Sequence, residues 1–381
     1  MTKKKLLFFT TTLAAGGAEK VLLNTVRALK DEYDITVVVF LNRGVYVDDI
    51  KRLCGYEYIY NIKSKSKLVQ RLGFSLLIRW QKLFSPSRLY KKYIKGGYDI
   101  EIAFLEGIPG RVLSGSNNNN KYAWIHTDLI TNNRSIREYR TFGEEKLCNK
   151  KFKKVVGVSS DVTKKFIKKL GISKEKTATI LNILDEAEII SKSKEPVSIE
   201  IDKKFFNIVA IGRLSKIKGY DRLINAVAQL TSQDKGSLRL NIIGDGHERA
   251  NLVDMIKKFG LKDIVSLHGF MNNPYPTLTQ SDLLVCSSYT EGLSTVAIEA
   301  IILGVPILST DCSGMKDILG DSKYGMIVEN SEAGILAGLK AMIEEKGVFA
   351  KYKKRALERG DFFRKDARVK EIKKIIDGEA R

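Results

Sequence analysis

The sequence predicts an α/β protein of two doubly wound, Rossmann-like domains that face a central cleft. At 381 residues the chain is long for one hydrophobic core, and 44% of its residues are hydrophobic, enough for two. Apolar runs of strand length alternate with helical stretches twice, and a polar segment with linker composition, 191–202, separates the two alternations. We therefore expect an N-terminal domain over 1–190 and a C-terminal domain over 191–361, with a helix at about 362–381 that packs back on the first.

The first half of the chain begins with three lysines and an apolar run. That run ends in a threonine cluster and is too short for an export signal, so it suits a buried strand instead. The predicted elements are, in chain order, a strand at 6–10, a glycine-rich loop, a helix at 19–30, strands at 35–41, 100–104, 122–125 and 155–158, and a helix at 160–170.

The second half repeats the alternation after the linker. The predicted elements are a strand at 206–211, a helix at 220–230, a strand at 238–243, a helix at 249–259, strands at 265–267 and 283–286, a helix at 297–302, a strand at 307–309, and a basic helical tail at 350–381. Because doubly wound sheets bind ligands at the carboxyl ends of their strands, we expect the binding residues in the loops that follow these strands.

The formal net charge of +21 is concentrated in a segment between positions 63 and 95, where basic residues alternate with bulky apolar ones. This mixture suits a helix at the surface of an anionic membrane, or else a solvated helix whose apolar side packs on its own domain. No nucleic-acid module is recognisable, so nucleic acid is not an expected partner. The basic residues are Lys63, Lys65, Lys67, Arg71, Arg79, Lys82, Arg88, Lys91, Lys92 and Lys95.

The four cysteines are scattered without paired spacing, which argues against a zinc site and against a disulfide framework. A reducing compartment fits this pattern, so a cytoplasmic location is expected, with peripheral attachment to the inner face of the cell membrane as an option. No run of 18 uncharged apolar residues occurs, so a membrane span is not expected.

Two glutamates eight positions apart, Glu291 and Glu299, are the most informative residues. Glu291 lies in the loop that leads into a predicted helix, and Glu299 lies in the first turns of that helix. Backbone N–H groups at a helix N-terminus have no intrahelical partner and favour phosphate. Carboxylates beside a phosphate site repel the phosphate itself, but they accept hydrogen bonds from sugar hydroxyls. A ligand with both groups is a nucleotide sugar.

A basic loop, residues 212–219, follows the first strand of the second half. Arg213 offers a planar fork for phosphate oxygens, and Lys218 offers a point charge at the start of the next helix. We interpret these two residues as a diphosphate site. Lys216 is interpreted as a solvated charge.

Glycine pairs at the ends of two other strands give weaker signals. Gly16 and Gly17 open the first helix and allow close backbone approach to a ligand, although a structural turn would look the same. They do not form the G-x-G-x-x-G dinucleotide fingerprint. Gly244 follows another strand beside Asp245, whose default role is that of a capping or turn residue.

Two histidines also lie at strand ends. His126 follows a strand of the first half and would face the predicted cleft, with a satisfied core histidine as the alternative. Its neighbour Asp128 suits a helix cap or a group that supports the site. His268 suits either a flank for a nucleobase or an ordinary partly buried histidine.

In this order the motifs resemble the retaining glycosyltransferases of the GT-B fold, the family 4 or glycosyl transferases group 1 enzymes. The motifs that carry the resemblance are Gly-Gly-Ala-Glu, a histidine after a Trp-Ile strand, Gly-Arg-Leu-x-x-x-Lys-Gly, Ile-Gly-Asp-Gly, and Glu-x7-Glu followed by a Gly-x-Pro turn. They extend over essentially the whole chain, and those of the second half are the more specific.

The resemblance implies a catalytic set of four residues. Arg213 and Lys218 would bind the donor diphosphate as it leaves, and Glu291 would contact hydroxyls of the transferred sugar. His126 would touch the same sugar and support the transition state. The resemblance also implies a donor-binding set: Gly16, Gly17, Gly212, Gly244, His268, Gly292, Leu293, Ser294, Thr295 and Glu299.

The implied reaction retains the configuration at the anomeric carbon, with the incoming hydroxyl attacking from the leaving-group face. No Asp-x-Asp metal motif accompanies the site, so neither a metal nor a cofactor is expected, and protein cations would stabilise the leaving diphosphate. Glu291 is not expected to be a nucleophile. Many family members carry glycine or a bulkier residue at the position of Ser294, which leaves the donor sugar open.

Two alternative functions need motifs that the sequence lacks, and a third should have lost site residues that the sequence keeps. A nicotinamide-dependent enzyme needs the absent glycine fingerprint, and a phosphorylase needs a cofactor-bearing lysine motif. A non-catalytic partner subunit should have lost a cation or a glutamate of the site. The expected partners are a nucleotide-sugar donor, a UDP-sugar by preference, and a saccharide acceptor, polyprenyl-linked in bacterial capsule or lipopolysaccharide synthesis. A protein acceptor stays open.

Overall fold

The computed structural model describes residues 2–64, 66–132, 135–197, 199–231 and 238–378. Lys65 of the basic segment and residue 198 of the predicted linker lie outside this description. The chain divides into two compact units, Met1–Ile183 together with Asp366–Arg381, and Leu184–Lys365.

The first unit contains a parallel sheet of seven strands in the order β3-β2-β1-β4-β5-β6-β7. The strand order reverses between β1 and β4, and β1 is buried from Leu6 onward. The strands are β1 (Lys4–Thr10), β2 (Tyr33–Leu41), β3 (Gly55–Tyr60), β4 (Ile100–Ala103), β5 (Lys121–Ile125), β6 (Lys154–Gly157) and β7 (Thr177–Thr179). Strands β3 and β7 are the edges of the sheet, and the sequence pattern did not predict either one.

The second unit contains a parallel sheet of six strands in the order β10-β9-β8-β11-β12-β13. Its order reverses between β8 and β11, which makes the loops after these two strands the switch point of the sheet. The strands are β8 (Phe206–Ile211), β9 (Leu238–Ile243), β10 (Val265–Gly269), β11 (Leu283–Cys286), β12 (Ile307–Thr310) and β13 (Met326–Val328).

Helices connect successive strands of both sheets, as parallel pairing requires. They are α1 (Gly17–Leu29), α2 (Val47–Leu53), α3 (Lys67–Gln81), α4 (Pro86–Tyr93), α5 (Ile108–Leu113), α6 (Phe142–Lys150), α7 (Ser160–Leu170), α8 (Glu186–Lys192), α9 (Tyr220–Leu230), α10 (Arg249–Lys258), α11 (Tyr275–Gln280), α12 (Thr295–Ile302), α13 (Met315–Leu319), α14 (Glu332–Glu344), α15 (Val348–Arg359) and α16 (Lys365–Ile376). Helix α1 begins at Gly17, two residues before the predicted start.

Helices α3 and α4 cover the basic segment, and Ser85 separates them by capping α4 ahead of Pro86. Helix α3 turns an apolar stripe outward: Leu68, Leu72 and Leu76 are 65%, 57% and 63% exposed. The interpretation in which the apolar side of this helix packs entirely on its own domain is therefore wrong for these leucines. Within the described ranges, no helix is both long enough and apolar enough to cross a membrane.

Candidate functional site

The switch point of the second sheet brings two opposite charges into contact. Lys218 ends a 3₁₀ turn after β8, and its Nζ lies 2.6 Å from Oε1 of Glu291, in the loop after β11. The Ser288 hydroxyl donates to the same carboxylate oxygen at 2.6 Å. Burial lowers the pKa of Lys218, but the ion pair with Glu291 outweighs burial and raises that pKa above its usual value. The ammonium is therefore charged at neutral pH.

Backbone contacts hold these two loops together. The Ser287 hydroxyl donates to the carbonyl of Lys218 at 2.9 Å, and the Tyr289 N–H donates to the carbonyl of Ile217 at 2.8 Å. Gly219 follows with φ of +64°, and a Cβ there would lie 2.2 Å from the Ser287 carbonyl oxygen. A glycine is thus required where the two loops meet.

A buried arginine on α9 fixes the loop after β11. Arg222 donates from Nε and Nη2 to the Ser287 carbonyl at 2.9 and 2.7 Å, and from Nη2 to Oδ1 of Asn330 at 2.7 Å. Its guanidinium also lies 3.9 Å from the centroid of the Tyr289 ring. The sequence analysis missed Arg222, although an arginine among the apolar positions of a predicted helix is a usable signal.

The glycines after β8 and β9 are explained by the close approach of two backbones. Gly212 and Gly244 have φ of +149° and +145°, and a Cβ on Gly244 would lie 1.9 Å from the Gly212 carbonyl oxygen. The Leu214 N–H donates to the Asp245 carbonyl at 3.0 Å, which pairs the same loops. The Asp245 carboxylate accepts from the next backbone N–H at 2.8 Å, as its default role as a turn residue predicts.

Arg213 lies between these backbone contacts and is exposed. Nearby, the Tyr220 hydroxyl is buried without a hydrogen-bond partner among the described residues. A Cβ on Gly212 would lie 3.0 Å from that hydroxyl and 3.3 Å from Cε of Lys218, so these groups share one small region. The sequence analysis did not identify Tyr220, because a tyrosine at the start of a helix is an ordinary core residue.

The segment from Glu291 to Glu299 forms a capped helix start. Ser294 is the N-cap of α12, and its hydroxyl accepts from the Ala297 N–H at 3.3 Å. Glu299 is buried one turn further on, where Oε1 accepts from the Tyr275 hydroxyl at 3.1 Å. The structure thus places Glu299 in α12 and Glu291 in the preceding loop, as the sequence predicts.

His268 is the penultimate residue of β10 and is partly buried, with Nε2 2.8 Å from Oδ1 of Asn241. Burial lowers its pKa, so the ring is neutral at pH 7. Asn241 thus satisfies one ring nitrogen of His268, and no ligand is needed for that. A role of His268 beside a nucleobase stays a prediction.

In the first unit, His126 follows β5 and is 8% exposed. Its ring centroid lies 4.9 Å from that of Phe104, and burial lowers its pKa to about 3, so the imidazole is neutral. Its Nε2 is buried without a hydrogen-bond partner in the described part of the chain. The alternative of a satisfied core histidine therefore does not hold for this nitrogen.

A carboxylate that the sequence analysis missed supports His126. Glu106, in the loop after β4, accepts from the His126 backbone N–H at 2.9 Å and from the Thr127 hydroxyl at 2.5 Å. Asp128 accepts from Lys165 Nζ at 2.6 Å and from the Ile130 N–H at 2.9 Å. Asp128 thus stabilises the turn that follows the histidine, and its role as a group that supports the site stays a prediction.

Two further predictions concern glycines and metals. Gly16 is the N-cap of α1, and a Cβ there would lie 2.2 Å from Oε2 of Glu19. The described residues contain no group of three or more histidine, cysteine, aspartate or glutamate side chains placed to hold a metal ion.

Comparison with known proteins gives a family match within the second unit. Residues 191–359 match the family described as Glycosyl transferases group 1. The chain is 32% identical over 206 residues to N-acetylgalactosamine-N,N'-diacetylbacillosaminyl-diphospho-undecaprenol 4-alpha-N-acetylgalactosaminyltransferase of Campylobacter jejuni, a match that covers 54% of each protein. An uncharacterized glycosyltransferase of Methanocaldococcus jannaschii is 28% identical over 364 residues, 84% of this chain and 87% of that one.

Solved structures resemble the whole chain. Anabaena HepE in complex with UDP has a TM-score of 0.76 at 19% identity, with 98% of this chain and 100% of HepE covered. WaaG, a glycosyltransferase involved in lipopolysaccharide biosynthesis, has a TM-score of 0.70 at 16% identity over 98% of this chain and 100% of WaaG. At these identities the likeness shows the fold, and it confirms the predicted GT-B class of two Rossmann-like domains.

Proposed function

We propose that the chain transfers a sugar from a UDP-sugar to a saccharide acceptor with retention of configuration, starting from the match of residues 191–359 to the glycosyl transferases group 1 family. The contact between Lys218 and Glu291 at the switch point carries the proposal. It places a charged ammonium and a carboxylate side by side, as a ligand with a diphosphate and sugar hydroxyls requires.

Each side chain of this site has a chemical role in the proposal. Arg213 is exposed next to the closely packed glycine loops and offers its fork to the diphosphate. Lys218 stabilises the negative charge that grows on the diphosphate as the glycosidic bond breaks. Glu291 accepts hydrogen bonds from hydroxyls of the transferred sugar, and Glu299 accepts them from the ribose. UDP as the nucleotide is supported by the complexes of HepE.

The other implied donor contacts are part of the same proposal. Gly292 and Leu293 precede the helix cap, and Thr295 is the first residue of α12, so their backbone groups are proposed to line the sugar and phosphate. For the first unit, contacts of Gly16, Gly17 and His126 with the donor stay predictions.

The proposed acceptor is a lipid-linked saccharide at the inner face of a bacterial membrane, in the synthesis of a surface polysaccharide. Two observations support it. The Campylobacter relative is named for a diphospho-undecaprenol acceptor. In addition, α3 exposes an apolar stripe while α4 and the following residues expose Arg88, Lys91, Lys92 and Lys95, a combination that suits an anionic membrane surface.

A donor screen tests the transfer reaction. The purified protein is incubated with UDP-, GDP- and ADP-sugars and a polyprenyl-linked saccharide, and products are read by mass spectrometry. We expect a product that is one sugar larger with a UDP-sugar only. Glu291→Ala should abolish most of it, whereas Glu329→Ala, outside the site, should retain it. Equal product from the two variants would remove Glu291 from the donor site.

Calorimetry with UDP tests the cation assignment separately. Arg213→Ala should weaken UDP binding by about tenfold, the usual size for one charge-assisted hydrogen bond. Lys216→Ala, in the same loop, should leave the affinity unchanged because its exposed side chain is interpreted as solvated.

A further inference from the structure

A groove runs along the open edge of the first sheet, at strand β3. It consists of two adjoining cavities of about 640 and 390 Å³, both of a size typical for ligand sites. The two cavities share Tyr60, Leu77 and Trp80, so they are continuous. All five residues from Tyr56 to Tyr60 line the larger one, as is possible only at the free edge of a strand.

One end of the groove is apolar. Ile62, Gly73, Leu76 and Leu77 line the smaller cavity together with the shared aromatic rings. A Cβ on Gly73 would lie 3.1 Å from Cδ1 of Ile62, so the glycine lets α3 approach this residue closely. Leu76 of this end also belongs to the exposed apolar stripe of α3, so the end suits a hydrocarbon chain.

The other end is aromatic and cationic. Lys92 Nζ lies 4.4 Å from the centroid of the Trp80 ring, and no carboxylate pairs with this ammonium in the described part of the chain. Lys95 Nζ lies 3.1 Å from Oε1 of Glu57, an exposed pair that water screens. The net charge of this end is therefore positive, and the ammonium of Lys92 is available to an anion.

The walls of the groove are held by a buried network. Arg111 is 1% exposed and donates to the carbonyls of Gln81 and Phe84 at 3.1 and 2.8 Å, at the C-terminal end of α3. It also pairs with the Glu144 carboxylate at 3.0 Å. The exposed apolar face of α3 is thus part of a fixed wall.

We propose that this groove binds a single-chain isoprenyl diphosphate, with the hydrocarbon along Ile62, Leu76 and Leu77 and the diphosphate at Lys92 and Lys95. The proposal rests on the proposed function, because such a lipid is the anchor of a polyprenyl-linked acceptor. The physical basis is the arrangement of the two lobes. Mostly apolar residues line the smaller lobe, and the larger lobe adds aromatic rings and the ammonium of Lys92, which pairs with no carboxylate among the described residues.

Trp80 gives the experiment its reporter, because it lines the groove while Trp124, the second tryptophan of the chain, is buried in the sheet. The full-length protein is titrated with farnesyl diphosphate below its aggregation concentration, and tryptophan emission is followed. We expect a saturable change. Farnesol alone and inorganic diphosphate alone should each bind at least about tenfold more weakly, since each satisfies only one end of the groove.

Matched variants test the two ends separately. Lys92→Ala should weaken farnesyl diphosphate about tenfold, whereas Lys91→Ala, an exposed neighbour that does not line the groove, should not. Leu76→Ser should weaken it by about tenfold or more, whereas Leu83→Ser, exposed just after α3 and outside the groove, should not. Far-UV circular dichroism and UDP affinity report whether each variant is folded.

Three results would overturn the proposal. The first is that farnesol binds as tightly as farnesyl diphosphate, and the second is that Lys92→Ala and Lys91→Ala bind it equally. The third is that monomeric dihexanoyl phosphatidylglycerol binds as tightly, which would make the groove a general phospholipid site. If the proposed function is wrong but the groove proposal is right, the two experiments give different results. In that case farnesyl diphosphate still binds at the groove, but no sugar is transferred from any nucleotide sugar.

Discussion

The two sheets share a parallel topology but carry different chemistry at their switch points. In the second unit, the loops after β8 and β11 join Lys218 to Glu291, so the site is charged. In the first unit, the loop after β4 places Glu106 against the backbone of His126, whose buried ring has its pKa lowered to about 3. The second switch point therefore presents a charged pair, whereas in the first unit a neutral imidazole follows β5 and lies against the switch-point loop after β4.

The comparison shows that topology fixes where a site forms, while a few side chains decide what it binds. A permanent cation favours a diphosphate. A neutral imidazole with an unpartnered Nε2 instead exchanges hydrogen bonds with an uncharged hydroxyl. The predictions below test this difference, beginning with the largest expected effect.

Lys218→Ala removes the cation from the second switch point. We expect the transfer rate to fall about 10²- to 10³-fold, as when one preorganised donor to a developing negative charge is lost. Lys216→Ala, in the same 3₁₀ turn but exposed, is the control and should keep near-normal turnover. If the two variants have equal rates in a product assay, the charge at the second switch point does not serve catalysis.

Arg222→Met tests the support behind the charged pair. The variant leaves the Ser287 carbonyl without its two guanidinium donors, so we expect the free energy of unfolding to fall by about 1–3 kcal/mol. UDP affinity should fall as well, because Ser287 fixes the loop that carries Glu291. Chemical denaturation and calorimetry measure the two effects, and a variant that loses stability alone would limit Arg222 to a structural role.

The first switch point should respond to pH through Glu138. Burial raises its pKa to about 7, although the carboxylate accepts from the Ile108 N–H at 2.6 Å. The folded state therefore holds a proton that the unfolded state loses near pH 4.5, and the stabilisation is lost as pH rises toward 7. The slope can reach about 1.4 kcal/mol per pH unit.

Glu138→Gln keeps an acceptor for Ile108 but cannot titrate. Denaturation curves between pH 4.5 and 7.5 should show a smaller loss of stability with rising pH in this variant than in the wild type. An unchanged slope would mean that Glu138 is ionised throughout this range in the folded protein.

The smallest effect is expected from Ser294→Ala, which removes the N-cap of α12 and should cost about 1 kcal/mol of stability. Ser331→Ala removes the N-cap of α14 and is the matched control, since Ser331 was not predicted to bind the donor. We expect equal losses in denaturation, and weaker UDP binding only for Ser294→Ala. Equal UDP affinity would reduce Ser294 to a cap.

The sequence predicted the central elements well, because buried strands of a parallel sheet are apolar throughout. Strands β8, β9 and β11 and helices α7 and α9 have the predicted bounds. The edge strands β3, β7 and β13 were missed. Strand β3 reads Gly-Tyr-Glu-Tyr-Ile-Tyr and is partly exposed, so it lacks a continuous apolar run. Strands β7 and β13 have only three residues each.

The site was predictable to the extent that its residues follow strands. Lys218 and Glu291 lie 73 positions apart, and their contact follows from the rule that carboxyl ends of parallel strands meet at one edge. Arg222 and Glu106 were not predictable in the same way. Their partners include backbone groups, the Ser287 carbonyl and the His126 N–H, and backbone partners leave no mark on residue type.

The close approach of Gly212 and Gly244 limits which substitutions this protein can accept. A Cβ on Gly244 would collide with the Gly212 carbonyl oxygen, and a residue with a side chain at position 212 would have an unfavourable φ of +149°. Neither position can therefore acquire a side chain without moving a strand end. Changes in this loop must then arise at exposed positions outside the proposed diphosphate site, such as Lys216. For directed evolution of this loop, the two glycines are best held constant while the library is built around them.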